Sequence, residues 1–336
     1  GIGPTSWSSI TPRPSTFSEK PASIVLGNIL NEACGGSAPA GSAAPSLILS
    51  EREARVELYE LLMRRRSVRN FKPDEVPDDV VAKLVAAANN APTGGNMQPL
   101  SIIAVREAER RAKLGEMVGS QPWVKNAPLS MIFCLDFWRL KKWAEMSGVA
   151  FRGNEALSHF LIGYADVMCA AQTVVILAES LGLGSVYVGT VQYVADDVRA
   201  YFELPPYVFP AMLLSLGYPK TVPRNVRKLA VDVVVHRERY KMPSDNEIRK
   251  AYDDKYGSLD ENVERYFERT FVEAVEADRQ DSAAWVEAYR ERMTELAIKN
   301  NAEFLFKLRY PSDRMVEFKA EEIAAFRRAG FDCFGS

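Results

Sequence analysis

The sequence predicts a layered protein in which helices alternate with single short strands. Three observations carry that expectation. Stretches with apolar residues three and four apart alternate with apolar runs of strand length. One long stretch is apolar nearly all round, as a helix buried on most sides would be. The 336-residue chain, 47% hydrophobic, also has enough material for a full core with room for extensions.

Taken in order, Glu51–Met63 carries Val56, Leu58, Leu61 and Leu62 between charges, the pattern of an amphipathic helix. It runs directly into a cluster of arginines. Pro77–Ala91 reads as a second helix, with Val80, Val81, Leu84, Val85 and Ala88 on one face. Pro77 at its start and Asp78 and Asp79 in its first turn suit a helix N-terminus. Ser101–Val105 and Leu129–Leu135 read as buried strands, separated by a charged surface helix at Glu107–Val118. His159–Leu181 is the long apolar helix. Ser185–Val188 is a short strand, Asp196–Phe202 a short helix, and Ala211–Leu216 a core strand closed by Gly217-Tyr218-Pro219. This alternation suggests mixed α/β layers.

Both ends differ from the middle. In residues 1–50 the charged side chains are Arg13, Glu19, Lys20 and Glu32, and Cys34–Pro45 is rich in Gly, Ala, Ser and Pro. A flexible leader is expected there, with an arm lying on a partner subunit as the alternative. Beyond Tyr240, charged residues surround apolar ones at helical spacing: Leu259, Val263, Tyr266, Phe267 and Phe271, then Trp285, Tyr289 and Met293. Three parts result: a leader 1–50, a central domain 51–240 and a charged helical extension 241–336.

The net charge of -2 gives no global pull toward nucleic acid or an anionic membrane. No run of about 18 apolar residues is present, so no membrane-spanning helix is expected. The first residues lack the basic and apolar regions of a signal peptide. Cys34, Cys134, Cys169 and Cys333 are widely scattered, which suits reduced thiols in a cytoplasmic protein better than a disulfide framework. His159 and His236 have no Cys or His neighbour at ligand spacing, so no metal site is expected.

Two segments carry chemistry. In Arg64-Arg65-Arg66-Ser67-Val68-Arg69, an extended backbone would set Arg65, Ser67 and Arg69 on one face, a plausible phosphate clamp. The competing reading is a basic helix C-terminus that complements the helix dipole. In Ala91-Pro92-Thr93-Gly94-Gly95-Asn96-Met97-Gln98-Pro99, a turn presents two side-chain amides, each able to donate and accept. They suit a ring with a mixed polar edge; the competing reading is that they cap backbone groups. A third stretch, Leu181-Gly182-Leu183-Gly184-Ser185-Val186-Tyr187-Val188-Gly189-Thr190, is a Gly-rich turn into a strand without dinucleotide-fold order. Arg224, Arg227 and Lys228 form a second basic cluster.

The order of these elements resembles the FMN-dependent nitroreductase superfamily over roughly residues 55–240. The resemblance implies an α+β, three-layer α/β/α fold with a mixed central sheet flanked by helices. It implies a homodimer with FMN at the interface, in which the long apolar helix forms the dimer core. The cofactor-binding set it implies is Arg65, Arg66, Ser67, Arg69, Asn96, Gln98, Gly189, Thr190 and Arg227. Arg65 and Ser67 would hold the phosphate and ribityl chain, with Arg227, or Arg224 in its place, adding a phosphate contact. Arg69 would sit near N1 and O2 of the ring. Asn96 would bond the pyrimidine edge with Gln98 close by, and the Gly189 and Thr190 amides would approach N5 and O4.

Flavin N5 would carry the chemistry, so no catalytic side chain is expected. The implied reaction is a ping-pong hydride transfer from NAD(P)H to a nitroaromatic, quinone or enone. A reductive dehalogenase or flavin-fragmenting relative is the alternative within the fold, and a non-catalytic flavin-binding module or sensor the alternative outside it. Phe137, Trp138, Trp143 and Phe151 are lid candidates. The family often has an aromatic after the Gln-Pro pair; here that position is Leu100.

Overall fold

The computed structural model describes residues 51–334 apart from 120, 222, 225 and 276–281, so the expected leader and Cys34 lie outside the described residues. The centre is a four-stranded sheet of β1 (Leu100–Val105), β2 (Leu129–Asp136), β3 (Gly184–Val188) and β4 (Val208–Gly217). Its spatial order is β1-β2-β4-β3, so β1 and β3 are the edges. Its three ladders are antiparallel, and an isolated bridge from Ser67 to Ser185 supplies a parallel pairing.

Every residue of β2 is buried, and so is all of β4 except Met212. A strand without an exposed side must be covered on both faces. The alternation of side chains divides that cover between two layers. Met131, Phe133 and Leu135 face one layer, built on α2 (Asp78–Asn89) and α6 (Leu157–Ser180) through Leu84, Ala88, Val167, Ala170 and Val174. Ile132 and Cys134 face the other, built on α3 (Ala108–Met117), α4 (Pro122–Asn126) and α7 (Ala195–Tyr201) through Leu114, Val124 and Val198. The three-layer arrangement is therefore present, and the element boundaries fall close to those expected.

Helix α6 is long and apolar enough, by length and composition, to cross a membrane. Its packing gives a different reason for its composition. Phe160, Val167, Ala170, Ala171, Val174 and Ala178 are buried in the fold, and Gly163 lets it approach the sheet closely. A Cβ at Gly163 would lie 2.7 Å from Leu135 Cδ1. Leu161 and Ile162, by contrast, are exposed. The amphipathic α1 (Glu51–Arg64) also departs from expectation: it buries Leu61 but leaves Leu58 and Leu62 exposed.

After β4 the chain is helical: α8 (Val231–Val234), α9 (Asp245–Tyr256), α10 (Leu259–Val275), α11 (Ser282–Glu295), α12 (Asn301–Glu303), α13 (Ser312–Glu317) and α14 (Lys319–Arg328). Val263, Phe267 and Phe304 form a small core of their own, with Tyr266, Tyr289 and Met293 against it. The last residues rejoin the main core. Phe326 stacks on Phe209 at 4.3 Å, Phe331 is fully buried, and Tyr207 N donates to Ala329 O at 2.7 Å.

Phe331→Ala is expected to cost about 3–5 kcal/mol by denaturant titration, because it opens a cavity between the tail and the sheet. The exposed Phe306 supplies the control and should tolerate the same change. Burial pushes the Cys134 thiol up to about 12, with the nearby Asp136 charge a smaller cause. At pH 8 that thiol stays protonated, so a thiol reagent should label it only on unfolding.

Candidate functional site

After α1 the chain becomes extended and lies along β3. Val68 N donates to Ser185 O at 2.9 Å, and Phe71 then bridges Pro219 beyond β4. Gly184 makes this approach possible, since a Cβ there would fall 2.5 Å from Val68 Cγ2. With Val68 buried, alternation turns Ser67 and Arg69 to the other side. Arg66 turns back instead, and its Nη1 donates to Met63 O and Arg65 O at 2.9 and 2.8 Å. It serves the end of α1, in keeping with a basic helix C-terminus. Arg65 is half-buried near Tyr187 and Glu179. Burial raises the Glu179 carboxyl, and Arg65, Arg64 and Arg66 oppose that rise.

Arg69 leads to two residues that the sequence pattern does not single out. Its guanidinium lies over the Trp123 ring, 5.4 Å from the centroid. Two residues earlier, Gln121 Nε2 donates to Thr190 Oγ1 at 2.8 Å and to Val118 O at 2.9 Å. Thr190 Oγ1 donates to Val118 O in turn. Trp123 and Gln121, two residues apart, thus connect Arg69 to Thr190, while Ser67 is held beside β3 by its bridge to Ser185. Pro122 between these two occupies the first turn of α4, a local signal that a helix N-terminus fixes both.

Two features of this region bear on ligand binding. Trp123 Nε1 is buried without a hydrogen-bond partner among the described residues. A buried orphan donor costs about 1–3 kcal/mol, which a ligand acceptor would offset. Gly189 is exposed, and a Cβ there would meet nothing within 4 Å. The surface therefore offers a cation, an unused indole N–H and open backbone to a flat polar group. A cleft of about 360 Å³ adjoins it, lined by Arg69, Arg111, Lys125 and Lys220 among others. Arg111 donates to Arg106 O, Lys125 O and Ala127 O, and its burial lowers its pKa.

The amide loop lies elsewhere. Gly95, Asn96 and Gln98 have φ of 59°, 55° and 51°. The left-handed region is easy for Gly, tolerable for Asn and costs roughly 1 kcal/mol for Gln. Several fastenings hold the loop there. Gly94 N donates to both carboxylate oxygens of the buried Asp166, at 3.0 and 3.1 Å. Gln98 N donates to Thr93 Oγ1 at 3.2 Å. Gln98 Nε2 donates to Asn89 O at 3.1 Å and to Asn89 Oδ1 at 3.3 Å, so this amide caps the end of α2. Asn96 is exposed and makes no side-chain hydrogen bond among the described residues. Asp166 is a further residue absent from the expected set, although a carboxylate midway along an apolar helix is itself a signal.

Within one chain the two segments do not meet. The amide loop enters β1 at Leu100, whose row runs through Leu135 to Phe209. Ser67 lies outside β3 in the row that contains Leu216. They occupy opposite edges and opposite ends of the sheet, roughly 25–30 Å apart at ordinary strand spacing and rise. Arg227 is exposed, and Arg224 pairs with Glu268 on α10 at 3.3 Å. Of the lid candidates, buried Phe137 and half-buried Phe151 pack edge-on at 5.6 Å, whereas Trp138 and Trp143 on α5 (Trp138–Met146) are exposed.

A sequence profile of the Nitroreductase family matches residues 62–218. The FMN reductase [NAD(P)H] of Bacillus subtilis (strain 168) is 33% identical over 55% of this chain and 74% of its own length. This chain belongs to the nitroreductase family. The Cr(VI) reductase of Pseudomonas sp. (strain G-1) is likewise 33% identical, over 58% of this chain and 80% of the relative. The solved structure of B. megaterium NfrA2 is 27% identical and covers 83% of this chain and 99% of its own, with a TM-score of 0.64. A likeness of that extent runs past β4 into the helical tail.

Trp123→Phe keeps a ring beneath Arg69 and removes the orphan N–H. The ligand-free variant should be as stable as the parent or up to about 1–3 kcal/mol more stable in denaturant titration.

Proposed function

We propose that this member of the nitroreductase family is an FMN-dependent oxidoreductase that accepts electrons from NAD(P)H. The observation that carries the reading is the region beside β3, where Arg69 lies over Trp123, whose buried Nε1 has no partner among the described residues, and where Gly189 leaves open backbone at the end of the strand. Its donor set fits FMN. The names of the two curated relatives, an FMN reductase using NAD(P)H and a Cr(VI) reductase, support the same class of chemistry. Bound FMN supplies the redox chemistry, taking up a hydride and passing electrons to an acceptor.

The chain's own residues then have separable roles. Arg69 places positive charge where a reduced ring gathers negative charge, and acts without reorganising because Trp123 supports it. Trp123 Nε1 supplies a donor, and the Gly189 amide a close backbone approach. Arg65 and Ser67 hold the phosphate end, with Arg227 as a further contact. Asn96 belongs to the same site only if a second copy of the chain supplies it, because one chain keeps it at the far corner of the sheet. The cofactor therefore sits in a homodimer interface. Exposed Leu161 and Ile162 on α6, with Val231, Val234 and Val235 around α8, are apolar surface for such a partner.

Acceptors are nitroaromatics, quinones or enones, for which exposed Trp138 and Trp143 would serve as lid residues. A cytoplasmic location suits the free thiols at Cys134, Cys169 and Cys333.

The decisive experiment is an FMN titration followed by visible absorption, then anaerobic addition of NADH or NADPH. Bleaching of the bound flavin, restored by a quinone or nitroaromatic, is the expected result. Sedimentation should give twice the 37.5 kDa chain mass. Trp123→Phe should weaken FMN binding about tenfold, the loss of one hydrogen bond. A protein that binds no FMN overturns the reading.

A further inference from the structure

The loop that carries Asn96 is held in a conformation its residues do not favour, and besides the fastenings described above, one residue pair outside the loop grips its last carbonyls. Strand β2 ends at Asp136, a carboxylate buried between the core residues Leu135 and Phe137. That carboxylate accepts from Ser101 Oγ at 2.5 Å, from Arg139 N at 3.3 Å and from Arg139 Nε at 3.1 Å. The other end of the same guanidinium, Nη2, donates to Gln98 O at 3.3 Å and to Leu100 O. Asp136 N donates to Pro99 O at 3.0 Å.

Consecutive carbonyls at 98, 99 and 100 are thereby gripped by one residue pair. Pro99 has no N–H of its own to contribute; within the loop Leu100 N donates to Gln98 O at 2.8 Å, and the guanidinium adds a second donor to that carbonyl. Ladder pairing begins only at Leu100. Gln98, one step before the proline, is the residue at φ 51°.

We propose that Asp136 and Arg139 are positioning residues for the cofactor: they fix the left-handed peptide at Gln98 and thereby aim the Asn96 amide at the flavin. The inference rests on the FMN reading above. Without the guanidinium, Gln98 relaxes toward negative φ, and the turn that precedes it rotates with it. Asp166 still anchors Gly94, so the loop stays attached while its tip loses its aim. Arg139 is 53% exposed, so solvent screens its pairing, and when the guanidinium is removed the buried Asp136 carboxylate keeps Ser101 Oγ and the Arg139 backbone N–H as donors. Its effect is concentrated in the geometry of a loop that presents one free amide.

The test compares Arg139→Met, Asn96→Ala and the double variant with the wild type, using FMN affinity, the flavin absorption band and thermal unfolding without FMN. Arg139→Met should weaken FMN binding about tenfold while the ligand-free melting temperature moves by no more than about 2–4 °C. Asn96→Ala should weaken binding similarly, and the double variant should be no worse than about threefold beyond either, since both act through one contact. Arg139→Lys, which restores one donor, should recover part of the affinity.

Wild-type affinity in Arg139→Met, or losses that multiply fully in the double variant, overturns this inference alone. So does a melting temperature that falls in step with affinity, which marks a merely structural role. An Asn96→Ala variant of unchanged affinity overturns this inference as well, because it acts through that amide; a wild-type protein that binds no FMN overturns the reading on which it rests.

Discussion

The rest of the structure depends on the complete burial of β2. A strand with water on neither side needs an apolar layer above and below, and its alternating side chains divide the sequence between those layers. Helices α2 and α6 supply one and α3, α4 and α7 the other. Once both faces are closed, ligands have access only to the edges and ends of the sheet. The arginine segment takes one edge, beside β3, and the amide loop takes the opposite corner. The separation of the two polar segments follows directly from the burial of the strand between them.

The same logic explains how much of the molecule is legible in the sequence. The buried strands, α2 and α6 announce themselves by local periodicity, and their expected limits fall within a few residues of the observed ones. The motif order also points to the family. Features that arise from contacts between distant residues are not legible. Nothing near Trp123 in the chain says that its ring will lie under Arg69 with its N–H unpaired. Nothing in the tail says that Phe331 will return to the sheet while Phe304 builds a separate core. The amides show the limit most clearly. Asn96 and Gln98 look equivalent as a pair, but one is exposed and the other is spent on Asn89. Which of two polar residues is free depends on where the neighbouring helix ends.

The run of arginines divides in a comparable way. Arg66 closes a helix, Arg65 lies near Glu179, and Arg69 rests on an aromatic ring. A cluster that suggests one large positive field in sequence becomes three separate environments in space. Among the described residues, the donor left without a partner beside one of these arginines is Trp123 Nε1, under Arg69. Charge density along a sequence is a weaker guide than the partners each guanidinium acquires.

The position of Asn96 at the far corner from Arg69 has a thermodynamic consequence. If two copies of the chain grip one cofactor, as proposed above, it is part of the glue between them and the two equilibria cannot be independent. Each flavin bound would tighten subunit association by the same factor by which association tightens flavin binding. Dilution, or any change that loosens the α6 face, then releases cofactor without altering a residue that touches it. Cofactor content thus becomes a function of protein concentration, so one measure of subunit association is the colour of the solution.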